Sequence, residues 1–184
     1  LMLALATALP AAHAPTGKWP DKPVRVVVPF APGGSTDIIA RVITARLSQE
    51  FGQQFIVDNR GGAGGSIGAE IVVRANPDGY TLIIVATSYA TNAALYKLAY
   101  DPVKDIATVA KLHHGPFLVA VHTSVSAASV KELIELARAK PRTLNYGSSG
   151  IGGASHLATE LFRQMTGTDM NHVPYKGDAP AISD

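Results

Sequence analysis

VRVVVPFAPGGSTD, Val24 to Asp37, reads as a strand that runs into a glycine turn and straight on into a helix. Five of its first seven residues are apolar and four of these are valines, the composition of a strand covered on both faces. Gly33 and Gly34 let the backbone bend and let another group approach it closely. Ser35 or Thr36 is placed to cap the helix that follows, and Asp37 suits its positive end. A helix opening at the carboxyl end of a strand presents unpaired N–H groups, which is an anion site built from backbone.

The same device recurs twice. Phe55 to Asn59 is a short strand leading into RGGAGGSIG, Arg60 to Gly68, and a helical run from Ala69 to Ala75. Thr143 to Tyr146 leads into GSSGIGG, Gly147 to Gly153, and a helix starting near Ser155. Loops that follow the strands of a parallel sheet open on one edge, where ligands bind.

Between these loops, Asp37 to Phe51 carries Ile39, Ile43 and Leu47 on one stripe, with Gly52 as its end. The turn Asn76-Pro77-Asp78-Gly79 precedes a strand over Tyr80 to Ala86. Thr87 to Leu95 reads as a polar loop entering a short helix. Ile106 to Lys111 and Phe117 to His122 read as two strands around His113-His114-Gly115-Pro116, a place for the chain to cross between lobes. Ser129 and Glu132 form a capping box for a helix ending at Lys140. Ser155 to Thr166 repeats the helical spacing, Asn171 to Tyr175 is a further strand, and a helix begins after Gly177 with Asp178 as its cap. The order β-α-β-α-β, a crossing, then β-α-β-α-β predicts two α/β units with mainly parallel sheets.

The chain has 184 residues, is 47% apolar and carries a net charge of +2, with no basic run, so nucleic acid is not an expected partner. Leu1 to Ala14 is apolar and ends in Ala12-His13-Ala14, the small-x-small pattern of a signal-peptide cleavage site. A charged leader segment is missing before it, and a single helical turn follows Gly177 at the other end, so the expectation is a fragment open at both ends. There is no cysteine, hence neither a disulfide framework nor a lipoprotein anchor. A free periplasmic protein is expected.

Enzyme motifs are approached and missed. A P-loop needs a lysine after its second glycine, and neither PGGSTD nor RGGAGGSIG has one. No loop holds G-x-G-x-x-G, although Asp58 ends the second strand where a ribose-binding acid would stand. YGSSG resembles a nucleophile elbow, but Ile151 takes the place of the glycine needed two residues after Ser149. His156 reads as a structural or ligand-facing group. His113 and His114 are adjacent, so in a strand they point to opposite faces and cannot share a metal. Asp37 either accepts hydrogen bonds from its own loop or meets a ligand through water. Arg60, the one cation inside a glycine loop, is expected to matter little.

WPDKPVRVVVPFAPGGSTDIIAR, VDNRGGAGGSIGAEIV, NPDGYTL, LNYGSSGIGGASHLATELF and VPYKGDAPAISD resemble, in order from Trp19 to Asp184, the Bug family of extracytoplasmic solute-binding proteins of tripartite tricarboxylate transporters. The resemblance implies a two-lobed, type II periplasmic-binding fold, each lobe a mainly parallel sheet flanked by helices. Residues 1–14 would be a signal-peptide remnant, 15–115 the first lobe and 116–184 the second, both lobes incomplete. It implies a receptor, not an enzyme, that captures a small organic carboxylate without cofactor or metal and delivers it to membrane permease subunits; when complete it would be a monomer. The runner-up readings are an exported α/β enzyme acting on a small anion and a sensory binding protein.

The implied site has Phe30, Ala31, Gly33, Gly34, Ser35, Thr36 and Asp37 on one wall. Ser148, Ser149, Gly150, Gly152, Gly153, Ser155 and His156 stand on the facing wall, with Thr87, Ser88 and Asn92 after the third strand. The loops Ala31 to Thr36 and Gly147 to Ser155 contain no Lys or Arg. A carboxylate there is therefore expected to be held by backbone N–H groups, by the hydroxyls of Ser35, Thr36, Ser148, Ser149 and Ser155, and by water.

Overall fold

The computed structural model describes residues 17–184; the signal-peptide reading of residues 1–14 lies outside them. Strand β1 (Val24–Val28) is the middle of a parallel sheet ordered β2-β1-β3, with β2 (Phe55–Asn59) on one side and β3 (Thr81–Ile83) on the other. Val24, Val26, Val27 and Val28 are all at most 2% exposed. Neighbouring strand residues point to opposite faces, so burial of both Val26 and Val27 requires cover on both. Right-handed crossovers in the order β2-β1-β3 supply it, placing α1 (Ser35–Phe51) and α2 (Ser66–Val73) on opposite sides. Val24, Val26 and Val28 share a face with Phe55, Leu47 and Ala40. On the α2 side the fit is tight: a Cβ at Gly68 would stand 2.7 Å from the Pro29 side chain.

Helix α1 starts two residues earlier than expected, and its cap is Gly34, in extended backbone, instead of Ser35 or Thr36. The Asp37 carboxylate explains this, because from the first turn it reaches back past Gly34 to accept the Gly33 N–H at 2.9 Å. Gly52, in the left-handed region at φ 67°, ends the helix as read. Helix α2 begins three residues before the expected Ala69, after a single 3₁₀ turn over Ala63–Gly65.

Strand β3 is shorter than the expected Tyr80 to Ala86, and Pro29 supplies the reason. The β1–β3 ladder runs through Arg25 N–H to Tyr80 O and Ile84 N–H to Val27 O. The next donor in that series is residue 29, a proline with no N–H to give. Helix α3 (Ser88–Leu95) follows after residues 84–87, with Thr87 at its N-cap position but making no side-chain cap hydrogen bond.

The two strands expected at Ile106 to Lys111 and Phe117 to His122 do not form. Residues 107–122 have no regular structure, and Leu118 is 90% exposed. A strand needs a neighbour for its backbone N–H and C=O groups, and among the described residues none lies alongside. The second half is therefore α4 (Val130–Ala139), β4 (Asn145–Ser148), α5 (Ala154–Thr166), β5 (Asn171–Pro174) and α6 (Asp178–Ser183), with two strands in place of three. β4 and β5 pair in parallel, Tyr146 beside His172. α4 carries the expected cap, Ser129 Oγ accepting from Glu132 N–H at 3.2 Å, while Glu132 takes the Ala128 N–H. Gly177 caps α6, and Asp178 is its first residue instead of its cap.

Candidate functional site

The carboxyl ends of the two sheets meet. Ala31 N–H donates to Lys176 O at 2.7 Å, Thr91 Oγ1 to Gly152 O at 2.8 Å and Tyr96 OH to Ile151 O at 3.1 Å. Between these ties is a cleft of about 190 Å³. Its walls are Pro29 and Phe30 after β1, Gly62 to Gly65 after β2, and Tyr96 at the end of α3. The second half adds Ser149 to Ile151 after β4 and Pro174 to Lys176 after β5. Much of this wall is backbone, and Lys176 is its one charged residue.

Gly64 is the keystone of the first-half wall. It sits at φ +63°, and a Cβ there would stand 2.7 Å from Asn92 Oδ1 and 2.9 Å from Ile151 O. Only glycine combines that backbone with that crowding. Its carbonyl accepts from Asn92 Nδ2 at 3.1 Å, while Asn92 Oδ1 is buried with no partner.

Of the residues read from sequence, Phe30, Ser149 and Gly150 line the cleft. Ala31, Gly33 and Gly34 form a turn pressed against the start of α6; a Cβ on Gly33 would lie 3.5 Å from Ala179 Cβ. At Gly34 the nearest atom to such a Cβ is 3.8 Å away, so packing does not demand glycine there. Ser35 is exposed and Thr36 half-buried on the first turn of α1. Thr87 is exposed, and Ser88 and Asn92 are buried behind the wall, Ser88 bordering a narrow crevice with Pro29, Gly64 and Gly65.

Asp37 is buried and turned inward. It accepts from Gly33 N–H, Arg41 Nε and Asn59 Nδ2, each at 2.9 Å. Burial alone would raise its pKa; the Arg41, Gly33 and Asn59 hydrogen bonds and the Arg41 charge outweigh that and hold it below the usual carboxylate range. Of the two roles open to it in the sequence, the hydrogen bonds to its own loop are the ones it makes.

Several expected hydroxyls are already committed. Ser148 is 1% exposed and lies 2.6 Å from His172 Nε2, while also accepting the Gly150 N–H at 3.2 Å. Such a serine–histidine contact was not evident in the sequence, because the partners come from adjacent strands. Its hydroxyl is sealed beneath the loop, where no substrate reaches it. Ser155 Oγ accepts from Ser149 N–H and donates to Asp178 Oδ1, each at 3.0 Å. Gly152 and Gly153 are buried in the turn, and Gly152 N–H donates to His156 Nδ1 at 3.1 Å. His156 stacks on His172 with centroids 4.2 Å apart, and Tyr146 stacks on the other side of His172 at 4.8 Å. Burial first, then the hydrogen bond to Glu160, pushes the Tyr146 hydroxyl up to about 12.

Sequence reading missed Pro29, Gly62 to Gly65, Tyr96, Ile151 and Pro174 to Lys176. The signal for Gly62 to Gly65 was present, since RGGAGGSIG was one of the three recurring strand-end loops. Tyr96 carries no motif, Tyr175 lies in the family stretch VPYKGDAPAISD without a site role read for it, and only the fold brings them together.

The family model for the tripartite tricarboxylate transporter family receptor matches residues 39–184. The protein BugT of Bordetella pertussis is 35% identical over 183 residues, covering 98% of this chain and 56% of its own. Among solved structures, an R. palustris protein with adipate is 46% identical at a TM-score of 0.88, covering 91% of this chain and 56% of that one. MatC from Rhodopseudomonas palustris, with bound malate, is 36% identical at a TM-score of 0.82, covering 90% and 57%. The chain thus spans about half the length of the curated relatives it matches. By the extent of the family match, and with the fold to accompany it, the chain belongs to the tripartite tricarboxylate transporter receptor family.

Proposed function

We propose that this protein is a periplasmic receptor that captures a small organic carboxylate and hands it to the membrane permease subunits of a tripartite transporter. The observation that carries this reading is the cleft itself: strand-end loops from both sheets meet around a wall that includes Gly62, Gly64, Gly65 and Gly150, with Lys176 as its one charged residue. Backbone N–H groups can bind an anion without a salt bridge. The adipate and malate in two family neighbours fit the same ligand class.

In this reading, residues 15–115 and 116–184 belong to two lobes on either side of the cleft. Phe30, Gly62 to Gly65, Ser149 and Gly150 contact the ligand, and Lys176 meets its second charged group. Asp37, Asn92, Ser148 and Ser155 brace the loops from behind. No bond of the ligand is made or broken.

The test is calorimetry and thermal unfolding of the protein expressed from its complete gene, against mono-, di- and tricarboxylates. A true ligand at a hundredfold its Kd raises stability by about 2.7 kcal/mol and is recovered unchanged. Conversion of the ligand, or no response to any carboxylate, overturns the reading.

A further inference from the structure

We propose that His156 and His172 are a positioning pair that holds the loop Ser148 to Gly153 in its cleft-lining shape and lets it go when His156 is protonated, so that ligand is bound near neutral pH and released in acid. This rests on the receptor reading for its ligand, but not for the motion of the loop.

The loop depends on outside anchors. Gly150 and Gly152 stand at φ +121° and +76°, conformations that glycine can leave at little cost. Two of the anchors are imidazole nitrogens. Gly152 N–H donates to His156 Nδ1 at 3.1 Å, so that nitrogen carries a lone pair and the ring proton is on Nε2. Nε2 in turn faces Glu160 Oε1 at 4.0 Å. A second proton on His156 must therefore go to the atom that holds Gly152.

His172 on β5 couples to the loop less directly. Ser148 Oγ accepts the Gly150 N–H at 3.2 Å, and its own proton points to His172 Nε2 at 2.6 Å, a shorter contact than its 3.4 Å approach to Gly150 O. Protonating His172 at Nε2 reverses that bond and turns the Ser148 proton toward Gly150 O, so this anchor is rearranged, while the Gly150 N–H keeps its acceptor. The rings are stacked 4.2 Å apart, so a charge on one opposes a charge on the other.

The surrounding charges do not quench this. From α5, Glu160 pairs with Arg163 at 2.7 Å and accepts the Tyr146 hydroxyl from β4, so its charge is shared before it reaches His156. Arg163 is turned to Asp169 at 2.9 Å, and Asp178 on α6 is taken by Ser155 at 3.0 Å. Release would be felt across the cleft, because Ile151 O and Gly152 O hold Tyr96 and Thr91 of the first half.

The experiment uses the protein expressed from its complete gene, with ¹⁵N-labelled histidine and glycine, titrated from about pH 8 to about pH 5, the span in which imidazoles can change charge. His156 Nδ1 should read as unprotonated at the start, and the Gly152 amide should move with the same midpoint as the His156 ring. With malate and adipate as probes, Kd should weaken by about tenfold per pH unit below that midpoint, one proton being taken up per loop released. His156→Asn keeps an acceptor near the Nδ1 position but cannot titrate, so the His156 step should vanish from its Kd profile, while His156→Ala should bind weakly throughout. A Gly152 amide that stays still while His156 titrates overturns the proposal, as does a His156→Asn variant with the wild-type pH slope. Failure to bind any carboxylate, with Gly152 still tracking His156, would sink the receptor reading and leave the positioning pair standing.

Discussion

Around β1, the four valines of VRVVV are shut away from water on both faces of the sheet; around β4 and β5, few apolar side chains are buried and polar bonds take over. Leu133, Ala137 and Met170 are the buried apolar residues of the second half, and Met165 on α5 is 77% exposed. In their place stands a chain of contacts from Tyr146 through Glu160 and Arg163 to Asp169, with Arg138 donating to Thr166 O beside it. Burial is non-directional and indifferent to pH, whereas hydrogen-bonded charges are directional and titrate. One half should therefore fail through packing and the other through protonation.

The sharpest way to break that contrast is Val27→Asp. An unpaired carboxylate on the central strand should cost more than about 4 kcal/mol, read as loss of cooperative unfolding in urea. Survival of the variant would mean that β1 is not the core. Next comes the glycine pair. Gly64→Ala should cost roughly 2 kcal/mol and ligand affinity with it, through left-handed strain and the clash with Asn92 and Ile151. Gly34→Ala should stay within about 0.5 kcal/mol, since that site has room. Thermal unfolding of the two variants side by side distinguishes a wall residue from a turn residue.

Tyr146→Phe removes one donor to Glu160 and should cost about 1.5 kcal/mol, as a hydrogen bond to a charged group does. A variant as stable as the parent would show that packing, and not the polar chain, holds the second sheet.

Acid should separate the halves further. Burial, then the nearby His156, lowers the His172 pKa, so its contribution is present above the ordinary histidine value near about 6.5 and is lost as pH falls through the lowered value. Asp37 and Asp58 are held below the usual carboxylate range, against the pull of burial, by hydrogen bonds and arginine charge. Their contribution persists until pH falls below about 3.9 and is lost through their lowered values. Protection factors, corrected for intrinsic exchange, should fall at β4 and β5 first and at β1 only in stronger acid. The smallest effect expected is that of Arg60→Ala, under about 0.5 kcal/mol, because Arg60 is exposed and only pairs with Asp58 at 2.9 Å.

The same contrast governs what could be read from the sequence. β1, β2 and the ends of α1 and α5 were legible because local signals agreed with tertiary demand: valines where both faces are covered, and Gly52 and Gly167 where the chain turns left-handed. The unbroken apolar run from Phe117 to Val121 says strand, but pairing is a property of two segments, and one segment cannot announce its partner. At the site, the three recurring glycine loops lie on the edge where the two sheets meet. What they did not reveal was which way each side chain turns. Asp37 faces back to Arg41 and Asn59, Ser148 dips under its own loop to His172, and Tyr96 reaches the cleft from a position without a motif.

Pro29 has a consequence beyond shortening a strand. Successive N–H groups of β1 face its two neighbours in turn, Arg25 donating toward β3 and Val24 toward the residue before β2. Residue 29 has the parity of Arg25 and Val27, so the hydrogen atom that proline lacks belongs to the β3 seam. The seam toward β2 still closes one step further, with Arg60 N–H donating to Val28 O at 2.8 Å. The sheet is thus unzipped on one side only. A proline at an even-numbered neighbour would have opened the seam toward β2 instead.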